Sequence, residues 1–330
     1  MYKTVAIFFL FCASKIFGQE AYIHTVNGKI KTADLGFSLT HEHIMSNFGA
    51  EPGLVSNYDT AKLFQQVFPY LRKVKLQGIH TIFDCTAAYF GRNVQLLKTI
   101  SDSTGVNIVT NTGFYGASND KYVPEFAKAA TAEAIAAIWI NEFDSGIDKT
   151  TIKPGFIKLA FDNGHPSDMD LKLFTAGVLT YKKTGLTLVV HTGNNIEAIN
   201  EMMHILIEQN VQPNAVVWAH ANKVESLEVL TNTALQGVWI SLDGVKESSV
   251  DDYVKQLQFF KSNNLLHKIL LSHDGNSFPG GGPVRQYDAI VAFLIPALKT
   301  NGFTDADIHQ LMIQNPKKAF ALQTKTTKKN

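Results

Sequence analysis

Short apolar, β-branched runs recur along the chain, each ending on a polar residue or a glycine and each followed by a longer stretch with apolar positions three or four apart. Eight such runs stand at 37–43, 80–86, 106–113, 155–161, 186–192, 215–221, 237–243 and 268–274. Strands that alternate with helices imply a parallel sheet. An eight-fold alternation fits a closed barrel better than an open doubly wound sheet, and no glycine fingerprint follows the first strand. The expected fold is therefore α/β, a (β/α)8 TIM barrel. Ahead of it, Asn27 and Gly28 separate two short β-prone runs and read as the turn of an N-terminal β-hairpin. Asp59 can cap a helix that carries Leu63, Val67, Leu71 and Val74, with a kink or break expected at Pro69. Val254, Leu257 and Phe260 mark another apolar stripe. The run Gly280, Gly281, Gly282, Pro283 lacks the Gly-Lys-Ser/Thr of a phosphate-binding loop and reads as a mobile connection after the eighth strand.

Composition narrows the class of partner. With 30 basic and 29 acidic residues, the chain has no excess charge to attract nucleic acid or an acidic membrane surface, so a small-molecule substrate is expected. Its 45% hydrophobic content suits one large core. Lys3 followed by an apolar run at 5–13 and a small-residue segment ending at Gly18 is the pattern of a secretory signal peptide. We therefore expect residues 1–18 to be removed, 19–330 to form a single domain, and the protein to be secreted or periplasmic. The apolar run is about half of the roughly 20 residues a spanning helix needs, so no membrane anchor is expected. Phe11 before Cys12 disfavours lipidation, and Cys85 alone would remain in the mature chain, which leaves no intramolecular disulfide.

The candidate chemistry gathers at strand ends. His41 and His43 are two apart in a strand, so both rings face one side while Glu42 faces the other. His191, His220 and Asp274 end the fifth, sixth and eighth strands, at the barrel face where catalytic residues collect. Four imidazoles and a carboxylate form a donor set suited to zinc, manganese or cobalt. Lys158 lies in an otherwise apolar fourth strand. Pointing inward it would be repelled by metal cations unless it lost its charge, for example by reacting with carbon dioxide to give a bridging carbamate. Read alone, a lysine turned out into solvent is the better explanation.

The segments Thr-His-Glu-His-Ile at 40–44, Val-His-Thr-Gly at 190–193, Trp-Ala-His-Ala at 218–221 and Ser-His-Asp-Gly at 272–275, with the isolated Lys158, resemble the phosphotriesterase family of the amidohydrolase superfamily. Leu-Gly-Phe-Ser-Leu at 35–39, Gly-Arg-Asn at 91–93 and Asn-Pro-Lys-Lys-Ala-Phe at 315–320 add to the likeness. The resemblance implies two divalent cations. His41, His43 and Asp274 would hold the more buried one and His191 and His220 the more exposed one, with N6-carboxylated Lys158 and a hydroxide as bridges. Asp274 would orient that hydroxide and take its proton, Lys158 and Asp274 thus serving catalysis directly. A homodimer is also implied.

Two departures bear on the proton relay. In the best-studied organophosphate hydrolases of this family the seventh strand ends in Asp-His, but here Gly244 follows Asp243. An aspartate is expected three residues after the sixth-strand histidine, and Lys223 stands there. Two dications set against a carbamate, an aspartate and a hydroxide leave a net charge of about plus one, which suits a neutral or singly anionic electrophile. A phosphotriester, lactone or other ester leads, with an amidase on a small N-acyl compound as the alternative. A non-catalytic, metal-stabilised binding protein is the alternative from another class. The loops offer Tyr89, Tyr115, Asn222, Lys223, Lys246 and Phe278 to the substrate pocket, and Lys223 and Lys246 could pair with a carboxylate or sulfonate. Arg92 reads as a loop brace, and His273 as facing the helix layer.

Overall fold

A computed structural model describes residues 21–50 and 57–322; the segment read as a signal peptide lies outside them. The described chain begins with an antiparallel hairpin, β1 (Tyr22–Thr25) and β2 (Gly28–Lys31), in which Thr25 faces Gly28. Val26 and Asn27 are therefore the turn, one residue earlier than the sequence predicts. Gly28, at φ +106°, opens the second strand, and the Thr25 hydroxyl donates to its carbonyl at 2.9 Å.

Eight parallel strands follow and close into a ring. They are β3 (Ser38–His43), β4 (Thr81–Asp84), a third split into β5 (Asn107–Val109) and β6 (Asn111–Thr112), β7 (Phe156–Ala160), β8 (Leu188–His191), β9 (Val216–Ala219), β10 (Trp239–Leu242), and an eighth split into β11 (Ile269–Leu271) and β12 (Gly275–Asn276). Pairing runs β12–β3–β4–β5 and β6–β7–β8–β9–β10–β11, so the two arcs join within the interrupted third and eighth strands. The second interruption matters to the site, since it contains Asp274.

The closure has its own device. The Glu42 side chain, fully buried, accepts from the Ser272 hydroxyl (2.8 Å), His273 N–H (3.0 Å), His273 Nδ1–H (2.7 Å) and Gly275 N–H (2.7 Å). His273 Nε2 accepts in turn from the Ile290 N–H at 3.0 Å. Four donors satisfy the buried carboxylate where the backbone ladder is broken, which offsets the large cost of burying a bare charge. His273 thus faces away from the barrel interior, toward the helix layer.

Strand alternation sorts the interior into two levels. Phe83, Val109, Phe156, Val189, Val217 and Leu270 point inward at the lower level and pack with Ile23 of the hairpin and with Phe320. One step of two residues further along β7 and β8 lie Lys158 and His191, so the apolar level forms a floor beneath a polar one. Outside the ring, helix Thr60–Leu76 buries Leu63, Val67, Leu71 and Val74, with the Asp59 carboxylate accepting from Lys62 N–H at its start. The element runs unbroken through Pro69, contrary to the break expected there. Four buried apolar anchors spread along its length hold both sides of the proline, and packing overrides the lost hydrogen bond. Helix Val250–Ser262 likewise buries Val254, Leu257 and Phe260. No helix among the described residues is long and apolar enough to cross a membrane.

The glycines after the eighth strand are tied down: Gly280 N–H donates to Ser46 O (2.7 Å), and Gly281 and Gly282 donate to Phe48 O (2.9 and 3.1 Å). The mobile connection expected there is instead a clasp on the loop after β3, made possible by the close approach of two backbones. Gly113 is the glycine that most constrains the site. At φ +120°, a Cβ there would lie 2.1 Å from the carbonyl oxygen of Lys158. Gly113→Ala should therefore destabilise the fold by about 3 kcal/mol or more, through both strain and displacement of β7. Denaturant titration of the two proteins would show it; an unchanged midpoint would mean that the strands separate freely.

Candidate metal centre

The ring of candidate donors is assembled by strand ends and by two unusual turns. His41 and His43 share the inward face of β3, Lys158 lies within β7, and His191 closes β8. His220 and Asp274 stand just beyond β9 and β11 with left-handed φ of +62° and +51°. That conformation is costly for residues with a Cβ. It turns both side chains over the barrel axis instead of along the strand. Asp274 is pinned there by its N–H bond to His41 O (3.1 Å).

Six residues predicted from sequence therefore converge. The His41 and His220 rings are 4.7 Å apart between centroids, His191 and His220 4.4 Å, and His41 and His43 5.8 Å. Asp274 Oδ1 lies 3.3 Å from His43 Nε2 and 3.8 Å from His41 Nε2, and Lys158 Nζ lies 3.0 Å from His41 Nε2. Ligand-capable atoms of His41, His43 and Asp274 all fall within 4.8 Å of one another. Lys158 is completely buried and, among the described residues, makes no ion pair within 4 Å. Asp274, its side chain 30% exposed, and the half-buried His191 are the members open to solvent.

Behind the ring lies an orienting shell that the sequence did not single out. Asp243 Oδ2 receives the His41 Nδ1–H (3.0 Å) and the His220 backbone N–H (2.7 Å), and Oδ1 receives the Ser241 hydroxyl (2.7 Å). Although Asp243 groups with His41 and His220 by distance alone, its Oδ2, the oxygen beside those rings, already accepts from two of these donors. We therefore assign it to orientation. With Nδ1 donating, His41 Nε2 is left as a lone pair facing the centre. His43 is set in the same way: the Thr86 hydroxyl donates to Met45 O (2.8 Å), so its oxygen accepts from His43 Nδ1 (2.8 Å). His43 Nε2 then faces Asp274 Oδ1 at 3.3 Å, a gap that a proton or a cation can bridge. Arg285, also missed in the sequence, reaches in from the loop after β12. Its Nε donates to Asp274 O (2.8 Å), and Nη2 lies 3.4 Å from Asp274 Oδ2.

The electrostatics favour neutral imidazoles around an ionised carboxylate. Burial, then the charge of Lys158, lowers His41 well below the ordinary imidazole range. Burial and His220 do the same to His191, and burial with His41 brings His220 down to about 3. For Asp274, burial pushes upward, but the His43 hydrogen bond and the charges of His220 and His41 prevail and hold it well below its ordinary range. Neutral imidazole nitrogens and an ionised carboxylate are the forms that bind divalent cations. The donor set thus fits such ions.

The residues predicted for the substrate pocket divide. Tyr115 stacks on Phe90 (4.9 Å) and lies 5.6 Å from the His191 ring, so it walls the centre. Asn222, Lys223 and Lys246 line one cavity beside it. Tyr89, at φ +63°, packs edge-on against Phe114, and Phe278 packs edge-on against Tyr58; neither is brought against the histidines. Arg92 is a brace, its guanidinium donating to Glu142 and to Asn111 O (2.8 Å). Asp243→Asn should weaken metal binding by about 10- to 100-fold, because His41 would lose the acceptor that fixes its tautomer. Titration with zinc and a competing chelator measures this directly, and unaltered affinity would return Asp243 to a purely structural role.

A mouth-facing ring of imidazoles, lysine and aspartate on a (β/α)8 barrel marks the class of amidohydrolase-like barrels. A sequence model of the phosphotriesterase family matches residues 21–320, and the chain belongs to that family. Among its relatives, the phosphotriesterase homology protein of Escherichia coli is 25% identical, with 86% of this chain and 98% of that protein covered. An aryldialkylphosphatase of Saccharolobus solfataricus is 26% identical over 88% and 97%, and an N-acetyltaurine hydrolase of Xenopus tropicalis 24% identical over 89% and 96%. A solved structure, described as organophosphate hydrolysis activity engineered from a weak promiscuous lactonase template, superposes with a TM-score of 0.81 at 24% identity, covering 91% and 99% of the two chains. That likeness establishes the TIM-barrel fold.

Proposed function

We propose that the chain is a hydrolase in which His41, His43, Lys158, His191, His220 and Asp274 hold two divalent cations, zinc being the first candidate and manganese or cobalt alternatives, with Lys158 carboxylated. Its leading substrate class is a phosphotriester, a lactone or another ester. One observation carries the reading: lone pairs of neutral imidazoles, an ionised carboxylate and a wholly buried lysine without a counterion meet at one point. A bare buried ammonium costs several kcal/mol, which conversion to a carbamate removes. When bound, the cations supply Lewis acidity, making water a better nucleophile near neutral pH and drawing charge from the electrophilic oxygen. The chain does the remainder. Asp274 accepts the proton of the attacking water, Arg285 holds that carboxylate, Asp243 keeps His41 in the right tautomer, and Tyr115 shields one side from solvent.

The relatives' names support both substrate readings. An aryldialkylphosphatase and a lactonase template favour phosphotriesters and lactones. An N-acetyltaurine hydrolase, together with exposed Lys223 and Lys246 at the mouth, favours amide hydrolysis of an anionic N-acyl compound as the second reading. The test is metal content per chain, paired with turnover of paraoxon, a δ-lactone and an N-acyl amino acid before and after chelation. Two metals and chelation-sensitive turnover support the proposal and rank the substrates. Folded protein with less than one metal refutes it, and metal-dependent stability without turnover favours the non-catalytic binding protein. We further propose export, supported by the pattern of residues 1–18, and a homodimer. N-terminal sequencing of protein from the periplasmic fraction and sedimentation in solution test these.

A further inference from the structure

Between the loops that follow β9 and β10 lies a cavity of about 580 Å³, lined among others by Asn222, Lys223, Gly244, Lys246 and Tyr253. Its wall is one residue from the donor ring. Asn222 Oδ1 accepts the Asp243 N–H (3.1 Å), the Tyr253 hydroxyl donates to Asp243 O, and Asp243 itself binds His41 and the His220 backbone. Gly244, which also lines the cavity, follows Asp243 in the chain. A Cβ there would meet only the Tyr253 hydroxyl at 3.5 Å and Asn222 Nδ2 at 3.9 Å, so the space over it is open, while its φ of +89° favours glycine and keeps it clear of a side chain.

Lys223 and Lys246 both line that cavity. Both are exposed, and among the described residues neither has a carboxylate within 4 Å, whereas Lys255 on the same cavity lies 3.8 Å from Asp252. Glu225 also lines the rim, without an ion pair to either lysine. The Lys223 stem crosses toward the loop after β8, its Cδ 3.7 Å from the position a Cβ on Gly193 would take, two residues past His191. Like charges facing one cavity repel each other unless an anion lies between them. Such an anion, over Gly244, would sit next to the ring where the reaction takes place.

We propose that Lys223 and Lys246 form a subsite for the singly charged oxyanion, sulfonate or carboxylate, of a substrate whose scissile bond lies a few atoms away. The inference rests on the hydrolase reading and sharpens its substrate class, for ester and amide alike. The anionic tail is bound by charge-assisted hydrogen bonds from the two ammonium groups, and Gly244 gives it passage.

The test compares the acetate ester and the acetamide of a three-carbon sulfonic acid with their neutral propyl counterparts, and a matching carboxylic acid as a further arm. Metal-loaded wild type is expected to prefer the anionic member of each hydrolysed pair by at least about tenfold in kcat/KM. Lys223→Gln and Lys246→Gln should each raise KM for the anion by about threefold to tenfold, and the double variant should bring the anionic-to-neutral ratio toward one. Arginine at either position should restore the preference, and added salt should erode it. Propanesulfonate binding, followed by NMR on protein with and without metal, supplies a readout independent of turnover. Lysine-dependent binding of propanesulfonate without turnover of any compound would uphold the subsite and refute the hydrolase reading. Equal turnover of anionic and neutral members, unaltered by the glutamines, would overturn the subsite and leave the hydrolase reading standing.

Discussion

Lys158→Ala is expected to lower kcat/KM by about 10³-fold or more and to reduce bound metal below two per chain, with part of both restored by millimolar acetate or propionate. The size follows from the proposed role: a bridging ligand would support both cations, whose electrostatic contribution would be worth several kcal/mol. Restoration follows from geometry. Lys158 is wholly buried, with Nζ 3.0 Å from His41 Nε2, and alanine leaves a space in which a small carboxylate can present two oxygens where the carbamate would. Lys158→Met fills the space with an apolar chain and serves as the control for folding. It should retain cooperative unfolding yet respond little to acetate. Two metals still bound to the alanine variant, or no response of its activity to any short carboxylate, would defeat the carbamate assignment.

Asp274→Asn is expected to cost about 10²- to 10⁴-fold in kcat, the range of a positioned general base, with KM changing much less. Asparagine keeps the shape of the side chain but cannot take the proton of the attacking water. The pH behaviour has a definite sign. Because the folded carboxyl is held well below 3.8, its ionic contacts are complete above that value and are lost only on acidification far beneath it. Loss of activity between pH 7 and 5 should therefore not trace to Asp274, and the wild-type acid limb should persist in the residual activity of the asparagine variant. An Asp274→Asn enzyme with wild-type kcat would place the proton acceptor elsewhere, and the ring around His43 and Arg285 would then be a metal site alone.

The eight strands, the helical stripes of Leu63, Val67, Leu71 and Val74, and the pairing of His41 with His43 on one face were legible because each depends on period two or period three to four within a few residues. The break considered at Pro69 and the looseness expected of Gly280–Gly282 did not follow, for the complementary reason. Whether a proline breaks a helix, or glycines stay loose, depends on what packs against them from elsewhere in the chain. The turn of the hairpin was off by one residue, a shift that local preference alone cannot resolve when Val26–Asn27 and Asn27–Gly28 both sit between the same strands.

For the centre, the sequence by itself determined the kinds of donor and the strand ends that carry them, since those are properties of short segments. Only the tertiary structure decided which way Lys158 points, since the lysine read alone would face solvent. It also made Asp243 the group that orients His41, brought Arg285 onto Asp274, and joined Glu42 to His273 across 231 positions of chain. Those relations arise where the barrel closes on itself. Ring closure brings the first strand against the eighth, and no local pattern of residues encodes what a side chain will meet there.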